Sequence, residues 1–220
     1  MLVDRDVLRS SGTLDIDAAI EHHLRRVVRL RDGEPVGLTD GEGAWRLSRV
    51  RLHGSTLTLE PTSELVVEEP RATTITIATA MPKGVRLEWL VQKVTELGAD
   101  RLMLLHAERS VVRWKPDRAD QQRDRLQRIA DEACRQSRRV WRLDIDGPHD
   151  ARGVLPSFVV AEPDGRRLAA SDVSIAIGPE GGWTRDELDA AVDRVSIGPS
   201  ILRTETAAVA AAALCVAFDR

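Results

Sequence analysis

From Thr73 onward, strand-length apolar runs alternate with helix-length patterns, and this alternation restricts the fold more than any other feature of the chain. "TTITIATAM" is a continuous β-branched run. "KGVRLEWLVQKVTELGAD" is an amphipathic helix, with Gly98 placed as its left-handed C-cap. "RLMLLHAE" reads as a strand, and "PDRADQQRDRLQRIADEACRQSRR" as a long helix with Leu126, Ile129, Ala130 and Ala133 facing inward. "SFVVAEP", "VSIAIGP" and "RVSIGP" are three further short strands, and the segment from Thr204 to Phe218 is an Ala-rich helix. Strands that each feed a helix pair in parallel, and their sheet is covered on both faces. The expectation is an α/β domain over 73–220.

The first seventy residues have a different rhythm. "EPVGLTDGEGAWRLSRVRLHGSTLTLEP" holds short strand-like runs, broken at Asp40-Gly41-Glu42-Gly43 and at His53-Gly54-Ser55. One helical pattern precedes them, "IDAAIEHHLRRVVRL", with Ile20, Leu24, Val27 and Val28 on one face. Short strands in so small a segment suggest a little barrel over 1–70. The polar "SELVVEEPRAT", with Pro70, reads as the linker.

A chain of 220 residues with 42% apolar content is long enough to bury a real core. No apolar run reaches the length needed to span a bilayer. "MLVDRDVLRSSG" carries charges where a signal peptide is apolar, so the expectation is a soluble, cytoplasmic protein. Cys134 and Cys215 lie far apart in Ala-rich helical patterns, which favours buried, inert thiols over a metal site or a disulfide framework. The net charge of −3 is uneven: residues 109–142 carry eleven Arg/Lys against five Asp/Glu. Such a stripe is either a footprint for a polyanion or a solvated helix face, and composition leaves both open.

Two loops concentrate the chemistry. Ile177-Gly178-Pro179 opens the glycine turn "GPEGG", and "WTRDEL" then starts a helix, with Thr184 and Glu187 at capping-box spacing and Trp183 and Leu188 at staple spacing. Glycine at the carboxyl end of a parallel strand admits a ligand close to the backbone. A phosphate is disfavoured here, because the loop has no lysine and Glu180 adds negative charge; hydroxyls, an amine or a sulfonium suit it better. The second loop repeats Ile197-Gly198-Pro199 and runs into "ILRTETA", where Arg203, Thr204, Glu205 and Thr206 cluster at a helix start. Arg203 and Glu205 are either a mutual surface ion pair or working groups.

"IGPEGGWTRDEL" followed by "SIGPSILRTETA" resembles the C-terminal signature of the ribosomal RNA small subunit methyltransferase E family, in the SPOUT superfamily. "EHHLRRVVRLRDGEPVGLTDGEG" is similar to the family's N-terminal PUA-like barrel. "MPKGVRLEWLVQKVTELGAD", "ERSVVRWK" and "RLQRIADEACRQSRR" are similar to its central motifs, in the family's order. Ser200 stands where the family pattern has Arg, and after Gln136-Ser137 Arg138-Arg139 replaces its Ser-Gly-Arg pattern.

The resemblance implies a SPOUT-type parallel sheet with a C-terminal trefoil knot, an exception to the usual rules of threading, behind a PUA-like RNA-binding barrel. It implies S-adenosyl-L-methionine bound between the two glycine loops, by Ile177, Gly178, Pro179, Glu180 and Gly181 from the first and Ile197, Gly198, Leu202, Thr206 and Ala207 from the second. The implied partner is 16S rRNA in the small ribosomal subunit, and the implied reaction is methylation of N3 of uridine 1498 in the family's numbering. Arg203 is assigned to stabilise negative charge developing on the uracil, and Glu205 to orient Arg203 or help remove the proton. Arg26, Lys83, Arg109, Arg113 and Lys115 are assigned to RNA, with Trp114 either stacking on a base or packing. A homodimer is implied, which the small-residue C-terminal helix suits; a metal is not. The competing readings are another SPOUT enzyme with a different acceptor, and a non-catalytic RNA-binding assembly factor.

Overall fold

In a computed structural model the chain forms two compact units, Met1–Pro70 with Arg138–Trp141, and Arg71–Ser137 with Arg142–Arg220. Residues 1–54 and 56–218 are described, without the side chains of Ala19 and Val27. The turn expected at Ser55 and the inward side chain expected at Val27 therefore lie outside the described residues.

The first unit is built on an antiparallel sheet of β1 (Leu14–Asp15), β2 (Pro35–Thr39), β3 (Ala44–His53), β4 (Thr56–Pro61) and β5 (Val66–Val67). The strands run in the order β1-β4-β3-β2, with β5 pairing β3. Short helix α1 (Arg5–Arg9) contributes Leu8 to a core with Leu14, Leu24, Leu38, Val50 and Leu59. The expected break at Asp40–Gly43 is the β2–β3 turn: Asp40 Oδ1 accepts the Glu42 and Ala44 N–H groups, and Gly43 has φ +93°. A side chain at Gly43 would collide with the Trp141 ring and come within 2.8 Å of the Glu68 carbonyl.

That Trp belongs to a segment expected in the second unit. After the long helix the chain turns through a left-handed Arg138, and Arg138–Trp141 joins the first unit. The Gly43 N–H donates to the Val140 carbonyl at 3.0 Å, and Glu42 bridges Trp141.

The amphipathic helix of this unit also departs from expectation. Helix α2 (Ala18–His22) continues as a π-turn over His23–Val28 and closes on a left-handed Arg29. The wider turn breaks the 3.6-residue period. Leu24 stays buried, but Val28 swings out to 47% exposure.

The second unit is a six-stranded sheet of β6 (Thr76–Ala80), β7 (Arg101–His106), β8 (Asp144–Asp150), β9 (Val159–Arg167), β10 (Ser174–Ile177) and β11 (Asp193–Ser196). Its order is β11-β9-β10-β6-β7-β8, and every pair is parallel. Side-chain alternation sorts the strands' residues onto two faces. Ile77, Leu104, Ile175 and Ile177 pack with helices α3 (Val85–Leu97), α4 (Pro116–Ser137) and α7 (Thr204–Phe218). Ala78, Leu105, Val160 and Ala176 pack on the other face with α5 (Ala151–Val154), a 3₁₀ turn over Leu155–Ser157, and the residues around α6 (Arg185–Ala190).

Most of this unit matches the sequence reading. Gly98 caps α3 at φ +103°, and Leu126, Ala130 and Ala133 are buried while Ile129 is half-buried. Edge strand β8 is an addition: "DIDGPHD" lacks alternation and carries Gly and Pro, which an edge strand tolerates. β9 runs past Pro163 because β11 pairs its far end; at Gly165 a Cβ would sit 2.5 Å from the Val195 nitrogen. In helix α7, Ala207, Ala208, Ala211 and Ala212 pack into the core of its own unit.

Cys134 and Cys215 are both buried and unbridged, and burial pushes the Cys215 thiol up to about 11. Among the described residues no helix is long and apolar enough to cross a membrane.

Candidate active site between two glycine loops

The first loop leaves β10 at Ile177. Gly178 carries no side chain because a Cβ there would come within 3.0 Å of the Trp183 indole. The turn closes with the Gly182 N–H donating to the Pro179 carbonyl at 2.8 Å, and Gly182, at φ +69°, takes the left-handed conformation. Trp183 is buried beneath, with half-buried Leu188 in the same cluster. Thr184 then caps α6 in a full capping box with Glu187. Glu187 does more than cap. It is buried, its Oε2 accepts the Thr184 N–H and its Oε1 accepts the Glu108 N–H, both at 2.8 Å, so it ties the glycine loop to the loop that follows β7. Arg109, in that second loop, donates to the Gly181 and Trp183 carbonyls at 3.0 and 3.2 Å.

The other wall comes from residues 197–203, between β11 and α7. Thr204, the first residue of α7, donates its hydroxyl to the Gly178 carbonyl at 3.0 Å and stitches the two loops together. Between them lies a cleft of about 260 Å³, lined by Ile177, Gly178, Pro179, Glu180 and Gly182 on one side and Ile197, Gly198, Leu202 and Ala207 on the other. Glu162 also lines it, and burial followed by the nearby Asp164 raises its carboxyl above the usual range. A wider groove of about 650 Å³ adjoins across Ile201 and Leu202, lined by Val85, Arg86, Trp89, Arg203, Glu205 and Thr206.

The fold thus gathers eight of the ten residues expected at the cofactor into one cleft. Thr206 opens onto the adjoining groove instead. Gly181 is the other departure. A Cβ there would meet Arg109 at 3.3 Å, its backbone is not left-handed, and Gly182 takes the place on the cleft wall. Arg203 and Glu205 share the groove but form no ion pair. Glu205 is buried and lies 3.5 Å from Arg86, while its Oε2 has no hydrogen-bond partner. The exposed Arg203 guanidinium pairs with none of the described residues.

Sequence reasoning missed Arg86. Its Nη1 lies 3.4 Å from Glu180 of the first loop and 3.5 Å from Glu205 of the second. One signal was available: a cation in the first turn of α3 runs against the helix dipole, so its place there calls for another cause. Glu162 and Trp89 carried no such signal.

The residues expected at RNA separate into two kinds. Arg113, like Arg109, donates to backbone carbonyls, of Ala107 at 2.7 Å and Glu108 at 3.3 Å, so both guanidiniums hold the loop after β7. Lys83 and Lys115 are exposed in this unit, and Arg26 is exposed in the first unit. Trp114 is half-buried against the core, and its backbone N–H donates to His106 Nε2. Burial, then Arg113, lowers His106 below 6.5, in keeping with a neutral ring that accepts that bond. The basic stripe is partly neutralised: Arg123, Arg125, Arg135 and Arg142 pair with Asp120, Glu88, Glu132 and Asp131.

A parallel sheet with a loop-bound cleft at its carboxyl edge defines a small-molecule binding site beside an open groove. Residues 68–216 match the family model for the RNA methyltransferase domain. A ribosomal RNA small subunit methyltransferase E from Synechocystis is 33% identical, covering 92% of this chain and 72% of its own length. The protein of that name from Bacillus subtilis is 30% identical, covering 91% and 88%. The crystal structure of the Neisseria gonorrhoeae protein of that name, bound to S-adenosyl methionine, superposes with a TM-score of 0.81 at 29% identity, covering 93% of this chain and 92% of that one. The chain belongs to the ribosomal RNA small subunit methyltransferase E family.

Proposed function

We propose that this chain transfers a methyl group from S-adenosyl-L-methionine to N3 of one uridine in 16S rRNA, the position numbered 1498 in the family. The observation that carries the reading is the paired arrangement itself: a narrow cleft between the two glycine loops, opening beside a groove that holds Arg203, whose guanidinium is unpaired among the described residues.

The cleft fits the cofactor. Its walls are apolar side chains and main-chain groups of both loops, which suits an adenine held by backbone hydrogen bonds, and a Cβ at Gly182 or Gly198 would meet open space. Glu180 and Glu162 supply the negative charge that a sulfonium and an amine require, and that a phosphate would not tolerate. When bound, the cofactor supplies an electrophilic methyl group.

The chain's own residues do the rest. Uridine N3 is a weakly acidic imide and becomes nucleophilic on losing its proton. Arg203, always charged and unpaired, stabilises the negative charge that then spreads to the uracil carbonyls. Glu205, which lines the same groove and has one buried carboxylate oxygen without a hydrogen-bond partner, is the candidate to receive the proton or orient Arg203. The loops contribute by placement. The target base is splayed out of its helix to enter the groove, while Lys83, Lys115 and, on the N-terminal unit, Arg26 hold phosphates.

The same reading takes the first unit as a PUA-like barrel and the crossing of the two loops as a trefoil knot. It also takes the active form as a homodimer. Val85, Trp89 and Ile201 leave large apolar side chains exposed at the groove, a rim that a second copy would cover. The experiment that tests the function is nucleoside mass spectrometry of 16S rRNA from a strain deleted for the gene. Loss of one N3-methyluridine, restored by the wild-type gene, is expected; an unchanged nucleoside profile overturns the reading.

A further inference from the structure

Arg86 stands between the two cavities. It faces one carboxylate on each, Glu180 of the cleft and Glu205 of the groove, at 3.4 and 3.5 Å through the same nitrogen. Glu205 is buried and in place, but its Oε2 is unpartnered. Glu180 is more exposed, at 43% of its side chain, and its pairing with Arg86 is long. Such a contact exchanges readily, because a half-exposed ion pair is weak and screened. The chemistry proposed for the cleft, which Glu180 lines, changes charge there: the methyl donor carries a positive sulfonium, and its product, S-adenosylhomocysteine, a neutral thioether.

We propose that Arg86 is a positioning residue that sets, through Glu180, how strongly the cleft prefers the charged donor over its neutral product. This rests on the functional reading above. An arriving sulfonium competes with the guanidinium for the Glu180 carboxylate, and Arg86 then keeps only Glu205. Once the methyl group has left, the sulfonium no longer contests Glu180, the ammonium being common to both ligands, and Arg86 recovers it. Arg86 thus weakens the donor's hold relative to the product's and keeps the two affinities close. Glu180 acts in the opposite sense, as the anion over which they compete. A purely structural role for Arg86, bracing two loops, would weaken both ligands alike.

The test is calorimetric titration of the full-length wild type, Arg86→Gln, Arg86→Lys and Glu180→Gln with S-adenosylmethionine and with S-adenosylhomocysteine, at low salt. The quantity read is the ratio of the two affinities, which loosening of the loops does not move. Arg86→Gln should raise the preference for the donor about two- to fivefold, the scale of one half-exposed ion pair. Glu180→Gln should lower it by a similar factor, and Arg86→Lys should restore the wild-type ratio. A ratio unchanged in both the Arg86→Gln and Glu180→Gln variants, with both ligands bound, overturns this inference and leaves the function standing. Failure of the wild type to bind either ligand overturns both.

Discussion

Replacing Glu187 tests how the first glycine loop is kept in shape. Its carboxylate is buried and accepts three hydrogen bonds, from the Glu108 N–H, the Thr184 N–H and the Thr184 hydroxyl. Glu187→Ala leaves two backbone N–H groups without an acceptor. A buried donor stripped of its partner costs about 1–3 kcal/mol, so the pair should cost about 2–6 kcal/mol, toward the lower end because both N–H groups are part-buried and water can reach them; that is a large share of the stability of an ordinary domain. The Thr184 cap onto the residue 187 N–H survives, which bounds the loss. Glu187→Gln keeps one acceptor oxygen and turns an amide N–H toward the other donor, so about half of that loss is expected. Urea unfolding followed by circular dichroism, with the m-value compared between variants, reads the stability directly. Titration with S-adenosylmethionine should show weaker binding in the same order, Ala worse than Gln, because Glu187 ties loop 178–182 to the loop after β7. An Ala variant within about 0.5 kcal/mol of wild type, the level of an ordinary surface substitution, would show that Glu187 is only a helix cap.

Three further outcomes follow from the same geometry. Arg203→Ala should retain donor affinity and lose about 10²-fold or more in single-turnover methylation, the usual effect of removing one stabiliser of developing charge; turnover within a few-fold of wild type removes Arg203 from that role. Joint replacement of Lys83 and Lys115 by Gln should weaken rRNA binding and flatten the plot of log affinity against log salt by roughly 0.7–0.9 for each phosphate no longer neutralised, while replacing Arg109 or Arg113 should instead disturb donor binding, since both hold backbone carbonyls. Asp172, paired with Arg166 and hydrogen-bonded to the Ala169 N–H, has its carboxyl held below 3.8, chiefly by Arg166. Its contribution to stability should be fully present at neutral pH and vanish as pH falls through that lowered value; thermal melts of wild type and Asp172→Asn should converge in acid, and a gap that persists there contradicts the assignment.

The alternation after Thr73 was legible because each strand of a parallel sheet is buried on both faces and reads as a continuous apolar run. Gly98 and the Thr184–Glu187 box were legible because caps are local chemistry. β8 was not, because an edge strand needs no apolar face and is held by pairing that lies outside its own residues. The π-turn over His23–Val28 escaped for a related reason: the sequence has a helical period, and the tertiary core around Leu24 overrides it. Arg138–Trp141 joined the other unit through backbone contacts with Gly43 that no local pattern announces. The two loops announced themselves through glycine, and most of the cleft followed from them. What stayed hidden was pairing at a distance. Arg109 has the look of a free cation for RNA in the sequence, and only the fold brings the Gly181 and Trp183 carbonyls to it. Arg86 has the look of a helix surface residue, and only the fold sets Glu180 and Glu205 on either side of it.

The most direct test of the account is methyl transfer by the purified chain to small ribosomal subunits from the deletion strain, with S-adenosylmethionine labelled in its methyl group. Digestion to nucleosides and mass spectrometry then identify the labelled product. The wild type is expected to form one labelled N3-methyluridine per subunit, sharply reduced in Arg203→Ala. Label on a ribose hydroxyl or on another base, or no label with the donor demonstrably bound, would contradict it.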